Sequence, residues 1–108
     1  MLEGIFGNQN AERVLFYLLN NGAGYPRQVA MALRSSLTPI QKQLERLEMG
    51  GILASRLVGR TRVYQMNPRY YFRPELEALL RKAFAAMPEP RIKETYSRRS
   101  RPRRKGKP

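Results

Sequence analysis

From Asn8 to Asn20, Ala11, Val14, Leu15, Leu18 and Leu19 fall on one side of a helix at 3.6-residue spacing. Asn8 is a suitable N-cap for that helix, and the run "NNGAG" after it supplies a residue able to take the left-handed C-cap conformation. A second, shorter period follows over Pro26–Leu33, with Val29, Ala30 and Leu33 on its inner side and proline at the first helical position, where an N–H has no partner anyway. Three residues, "RSS", separate it from a third helix over Leu37–Met49, capped by Ser36. There Ile40, Leu44 and Leu47 recur at i, i+4, i+7 and point inward, Pro39 is tolerated in the first turn, and Gly50-Gly51 terminates the helix.

The period then changes. "ILASRLV" and "TRVYQMN" are rich in β-formers and joined by Gly59-Arg60, and glycine at the first place of a two-residue loop fits a type II′ hairpin turn. Pro68 and Pro74 bracket a loop, "PRYYFRP". A last helix is predicted over Glu75–Met87, with a broad stripe of Leu76, Leu79, Leu80, Ala83, Phe84 and Met87. "MPEP" closes it. The prediction is one domain over residues 1–90, mainly α with a small two-stranded β-hairpin.

Charge alters the picture beyond that boundary. The 108 residues carry 21 Lys/Arg against 8 acidic groups, a formal +13. Residues 91–108 hold nine of those cations and one glutamate with almost no apolar content, so they are expected to form a disordered basic tail. A chain this basic is expected to meet a polyanion. No apolar run is long enough to span a bilayer, and the N-terminus lacks the pattern of a secretory signal, so a cytoplasmic protein is expected. The chain contains no cysteine, histidine or aspartate. That removes disulfides, thiolate chemistry, the usual metal ligands and the commonest general base, so neither an enzyme nor a cofactor is expected.

Two helices joined by a three-residue turn make a helix-turn-helix, and a basic hairpin directly after the second makes it winged. The order resembles the winged helix-turn-helix transcriptional regulators of bacteria and archaea, of the ArsR/MarR-like kind. "PRQVAMAL", "SLTPIQKQLERLEMGGILASR" and "VGRTRVYQMN" carry the resemblance, which covers about Ile5–Met87. It implies a three-helix core, a two-stranded wing over 52–67 and a C-terminal helix. It also implies double-stranded DNA as partner, a nucleoid-associated location, and action by occupying an operator, with repression the default. Many relatives place glycine and an apolar residue where this chain has Arg34 and Ser35. Either the turn differs in shape or Arg34 bears left-handed strain of about 1 kcal/mol. The metal-sensing role of the arsenic-responsive branch does not transfer, because its Cys and His ligands are missing.

Within that frame the outward face of 37–49 is read as the recognition surface. Gln41 suits a bidentate bond to adenine and Lys42 the acceptors of guanine. Thr38 suits a thymine methyl or a phosphate, Pro39 a sugar or methyl, and Arg46 a phosphate. Glu45 has three readings, an acceptor for cytosine N4, a partner of Lys42, or a group on the solvent side flanking Met49. Ser36, at the capping position, completes the set on this helix. Arg27 stands where a helix start can hold a phosphate. Arg56, Arg60 and Arg62 cluster at the hairpin tip, either as a wing for backbone or minor groove or as charges that protect a sheet edge. Arg98, Arg99, Arg101, Arg103 and Arg104 of the tail would bind phosphates without sequence preference, unless the tail only solubilises. Tyr64, Tyr70, Tyr71 and Phe72 are assigned to core and loop packing in preference to base stacking. Surplus apolar surface on the first and last helices points to a homodimer, which suits a palindromic site. The rival readings are an RNA-binding winged helix and a protein-interaction module.

Overall fold

The computed structural model describes residues 1–88, as five helices and a three-stranded antiparallel sheet. The elements are α1 (Glu3–Phe6), α2 (Gln9–Asn21), β1 (Ala23–Gly24), α3 (Pro26–Ala32), α4 (Leu37–Met49), β2 (Leu53–Val58), β3 (Thr61–Met66) and α5 (Arg73–Ala85). Residues 89–108 lie outside the described part, and with them the domain boundary at 90 and the five tail arginines.

α2 is the central helix. Asn8 adopts extended backbone before it and its Oδ1 accepts from Ala11 N–H at 2.8 Å, which satisfies one orphan donor of the first turn. Burial goes further round this helix than one stripe: Phe16 and Tyr17 are enclosed beside Val14, Leu15 and Leu18. α5 covers the extra side, where Phe16 and Phe84 meet edge to face at 5.8 Å. Leu19, expected in the stripe, is only half-buried.

The expected two-stranded hairpin is in fact part of a three-stranded sheet, ordered β1-β3-β2. Ala23 pairs with Gln65 and Gly24 with Tyr64. A two-residue strand has no periodicity to read; its extension is set by the partner it meets. Gly24 is required there, since a Cβ would stand 2.9 Å from Val29 Cγ2 and 3.0 Å from Tyr17 Cε1. Between β2 and β3 the ladder runs from Leu53 opposite Met66 to Val58 opposite Thr61. That leaves Gly59-Arg60 as the loop, with Gly59 at φ 66 and Arg60 not in the positive-φ region, in agreement with the expected II′ turn.

α3 begins at Pro26 as its sequence predicts, and the Gln28 side chain accepts from Tyr25 N–H at 3.3 Å. Its end resolves the question at Arg34, which takes the left-handed conformation, φ 56. Ser35 N–H donates to Ala30 O at 2.9 Å and Arg34 N–H to Met31 O at 3.2 Å, the bond pair of a Schellman motif with arginine in the glycine position. α4 ends in the same motif with Gly51 at φ 84, through Ile52 N–H to Leu47 O and Gly51 N–H to Glu48 O. The Arg13 guanidinium of α2 donates to Leu33 O and braces the strained end of α3.

α4 spans the predicted residues and buries Ile40, Leu44 and Leu47. Ser36 departs from expectation: its backbone is extended at the N-cap, but its hydroxyl accepts no bond from the helix. α5 starts two residues before its predicted Glu75, with Pro74 in its first turn. Of its stripe, Leu80 and Ala83 are buried, while Leu76, Leu79, Phe84 and Met87 stay half-buried. α1 was not predicted, because four residues are too few for a period. Tertiary bonds hold it: Leu2 N–H donates to the buried Glu12 carboxylate at 2.7 Å, and Arg46 Nη2 donates to Phe6 O at 2.8 Å. Among the described residues no helix is long and apolar enough to cross a membrane.

Candidate nucleic-acid interface

The core residues of α4 fix which of its side chains face out. With Ile40, Leu44 and Leu47 buried, Thr38, Lys42, Glu45 and Met49 lie on the opposite side at 100° per residue, and all four are exposed. Gln41 is also exposed, on the shoulder toward Glu48. Pro39 is half-buried and turned toward the other shoulder. Among the described residues neither Lys42 nor Glu45 forms an ion pair, so the option of a Lys42–Glu45 pair drops away. A ridge results with an amide, an ammonium, a carboxylate and a hydroxyl directed outward and uncommitted. Such groups can bond to base edges or to phosphates.

The two shoulders of α4 are tied down differently. On one, Ser55 Oγ of β2 donates to Glu48 Oε2 at 2.6 Å, and Arg62 Nη1 of β3 donates to Ser55 Oγ at 2.8 Å. This chain fastens the hairpin to the C-terminal half of α4. On the other, Arg46 spends its guanidinium on Phe6 O and, through Nε, on Gln43 Oε1 at 3.0 Å. Arg46 thus points along α1, away from the ridge formed by Thr38 and Lys42.

The hairpin arginines also separate. Arg56 pairs with Val63, and Arg62 with Leu57, so strand alternation puts Arg56 and Arg62 on opposite faces. Arg62 shares the face of Ser55 and Tyr64, next to α4; Arg56 is on the far face; Arg60 is at the turn. The Tyr64 hydroxyl is held above its ordinary pKa of 10.0, chiefly by burial and then by the charges of Glu48 and Glu45, with Arg62 opposing.

Arg27 is exposed on α3 and shares its outer side with Met31 at i, i+4. It is therefore not on α4's ridge but on the neighbouring helix. Arg98, Arg99, Arg101, Arg103 and Arg104 lie outside the described residues. Sequence reasoning missed Glu48, Ser55 and Arg13. Glu48 and Ser55 are seven residues apart across a glycine turn, and no helical or strand period joins them. Of the four aromatic residues assigned to core and loop packing, Tyr64 is buried and Tyr70 half-buried, while Tyr71 and Phe72 are exposed and pack on one another within the loop. Comparison with family models finds no match for this chain, and comparison with curated proteins finds none.

Proposed function

We propose that this protein binds double-stranded DNA sequence-specifically as a winged helix-turn-helix regulator. α4 enters the major groove, and the β2–β3 hairpin lies beside it as the wing. The observation that carries the reading is the uncommitted outward set Thr38, Gln41 and Lys42 on a helix whose inner side is locked in the core. Three features support it: the tight Arg34 turn that sets α4 against α3, the Glu48–Ser55–Arg62 chain that holds the hairpin to α4, and the formal charge of +13.

In this reading Gln41 and Lys42 read bases, Thr38 meets a methyl or phosphate, and Arg56 and Arg60 meet backbone or minor groove. Arg62 serves chiefly to hold the wing, and Arg46 to hold α1. Regulation is by occupancy of an operator in a prokaryotic cytoplasm, with repression as the default outcome. The half-buried Leu76 and Leu79 of α5 and Met87 just after it favour a two-fold dimer on a palindromic site.

Selection from random duplex DNA at about 150 mM salt tests the reading, since lower salt exaggerates phosphate binding. An enriched motif is expected, and Gln41→Ala or Lys42→Ala should each cost about 1–3 kcal/mol and relax one base position. A selected site bound equally well by both variants would refute the role of α4.

A further inference from the structure

The loop between β3 and α5 carries the two most exposed aromatic rings of the described residues: Tyr71 is 84% and Phe72 54% accessible. Their exposure does not come from a slack loop. Asn67 N–H donates to Ile52 O at 2.9 Å and Asn67 Nδ2 to Gly51 O at 2.8 Å, while Tyr70 N–H and Arg73 N–H close successive turns at 3.1 and 3.0 Å. The rings brace one another. Tyr70 and Phe72 meet edge to face at 5.9 Å, and Tyr71 and Phe72 at 5.0 Å with planes 84° apart. Phe72 therefore buttresses Tyr71 and leaves a face of the Tyr71 ring open to solvent.

Its surroundings say what would cover it. Arginines flank the rings at 69 and 73, and no carboxylate occurs from 67 to 74. Arg73 is engaged by Glu77 at 3.0 Å. Arg69 is exposed, and among the described residues it forms no ion pair. An exposed aromatic ring two residues from an exposed guanidinium, on a chain of charge +13, is a pairing that suits a nucleobase and its phosphate. An apolar protein partner would gain nothing from that cation and would have to desolvate it.

We propose that Tyr71, buttressed by Phe72 and flanked by Arg69, stacks an unpaired nucleobase of single-stranded nucleic acid. This activity is separate from duplex reading by α4 and does not depend on it. It is tested on the full chain by comparing an oligothymidylate with an abasic strand of the same length and charge, at about 150 mM salt, so that phosphate binding by basic residues elsewhere cancels. The wild type should prefer the strand with bases about tenfold for one stacked base. Tyr71→Leu should abolish the preference, whereas Tyr71→Phe, which keeps the ring, should retain it; circular dichroism checks that both variants fold. An oligouridylate arm shows whether RNA is favoured over DNA. Equal binding of the two strands by the wild type, or a preference that survives in Tyr71→Leu, would overturn the proposal and leave the patch to a protein partner.

Discussion

Ser55→Ala removes the hydroxyl that joins the hairpin to α4 without altering any charge. Its Oγ lies 2.6 Å from Glu48 Oε2, a short bond to an ionised acceptor, and it also accepts from Arg62 Nη1 at 2.8 Å. Hydrogen bonds to charged groups contribute about 1.5–3 kcal/mol, but Ser55 and Glu48 are only half-buried and water can replace part of that, so about 1 kcal/mol is expected. For a domain of this size the melting temperature should fall by about 4–8 °C. A double-mutant cycle with Glu48→Ala, followed by urea denaturation and tyrosine fluorescence, isolates the pair; the chain has six tyrosines and no tryptophan. Coupling of about 1 kcal/mol is expected, whereas non-interacting sites add within about 0.3–0.5 kcal/mol. Strict additivity would mean that the bond does not hold the hairpin, and the assignment of Arg62 to wing positioning would fall with it. On DNA, Ser55→Ala should weaken binding without changing the preferred bases, because the wing loosens while α4 keeps its face.

Gly24→Ala should destabilise the fold by about 1–3 kcal/mol, through overpacking against Val29 Cγ2 and Tyr17 Cε1; thermal melting measures it. Asn8→Ala should cost about 1 kcal/mol through loss of the α2 cap, read from the same melts. Tyr64 sets an alkaline limit. Its folded pKa is raised, so its contribution is fully present below pH 10.0, the ordinary value, and is lost as pH rises through the folded value. Stability measured in urea should therefore fall above pH 10.0, and Tyr64→Phe should flatten that fall. Arg60→Ala should weaken all duplexes alike and lower the salt slope by about one, which a salt titration of binding measures.

Periodicity alone was enough for the helices whose burial follows one stripe. Ile40, Leu44 and Leu47 repeat at helical spacing with glycines directly after, so α4 was legible to the residue, and with it the outward places of Thr38, Gln41 and Lys42, though not the turn of Arg46 toward α1. The hairpin was legible because glycine followed by arginine in a two-residue loop favours the II′ turn, and that turn fixes the register of both strands. Arg34 was legible as a dilemma, strain or a different turn, and only the backbone chose strain.

What stayed hidden depends on contacts between residues with no sequence period in common. β1 is two residues long and extended because β3 accepts it. α1 exists because Glu12 and Arg46 bind its ends. The same bonds redistribute the cations: Arg46 turns to α1, Arg62 to Ser55, and Arg56 to the far face of the sheet. Composition determined that this chain is basic and which side of each helix is apolar, since those properties belong to single residues and their spacing. Which basic groups remain free to meet a partner was decided by the tertiary structure, because a guanidinium's availability depends on the carbonyl or hydroxyl that packing brings within reach of it.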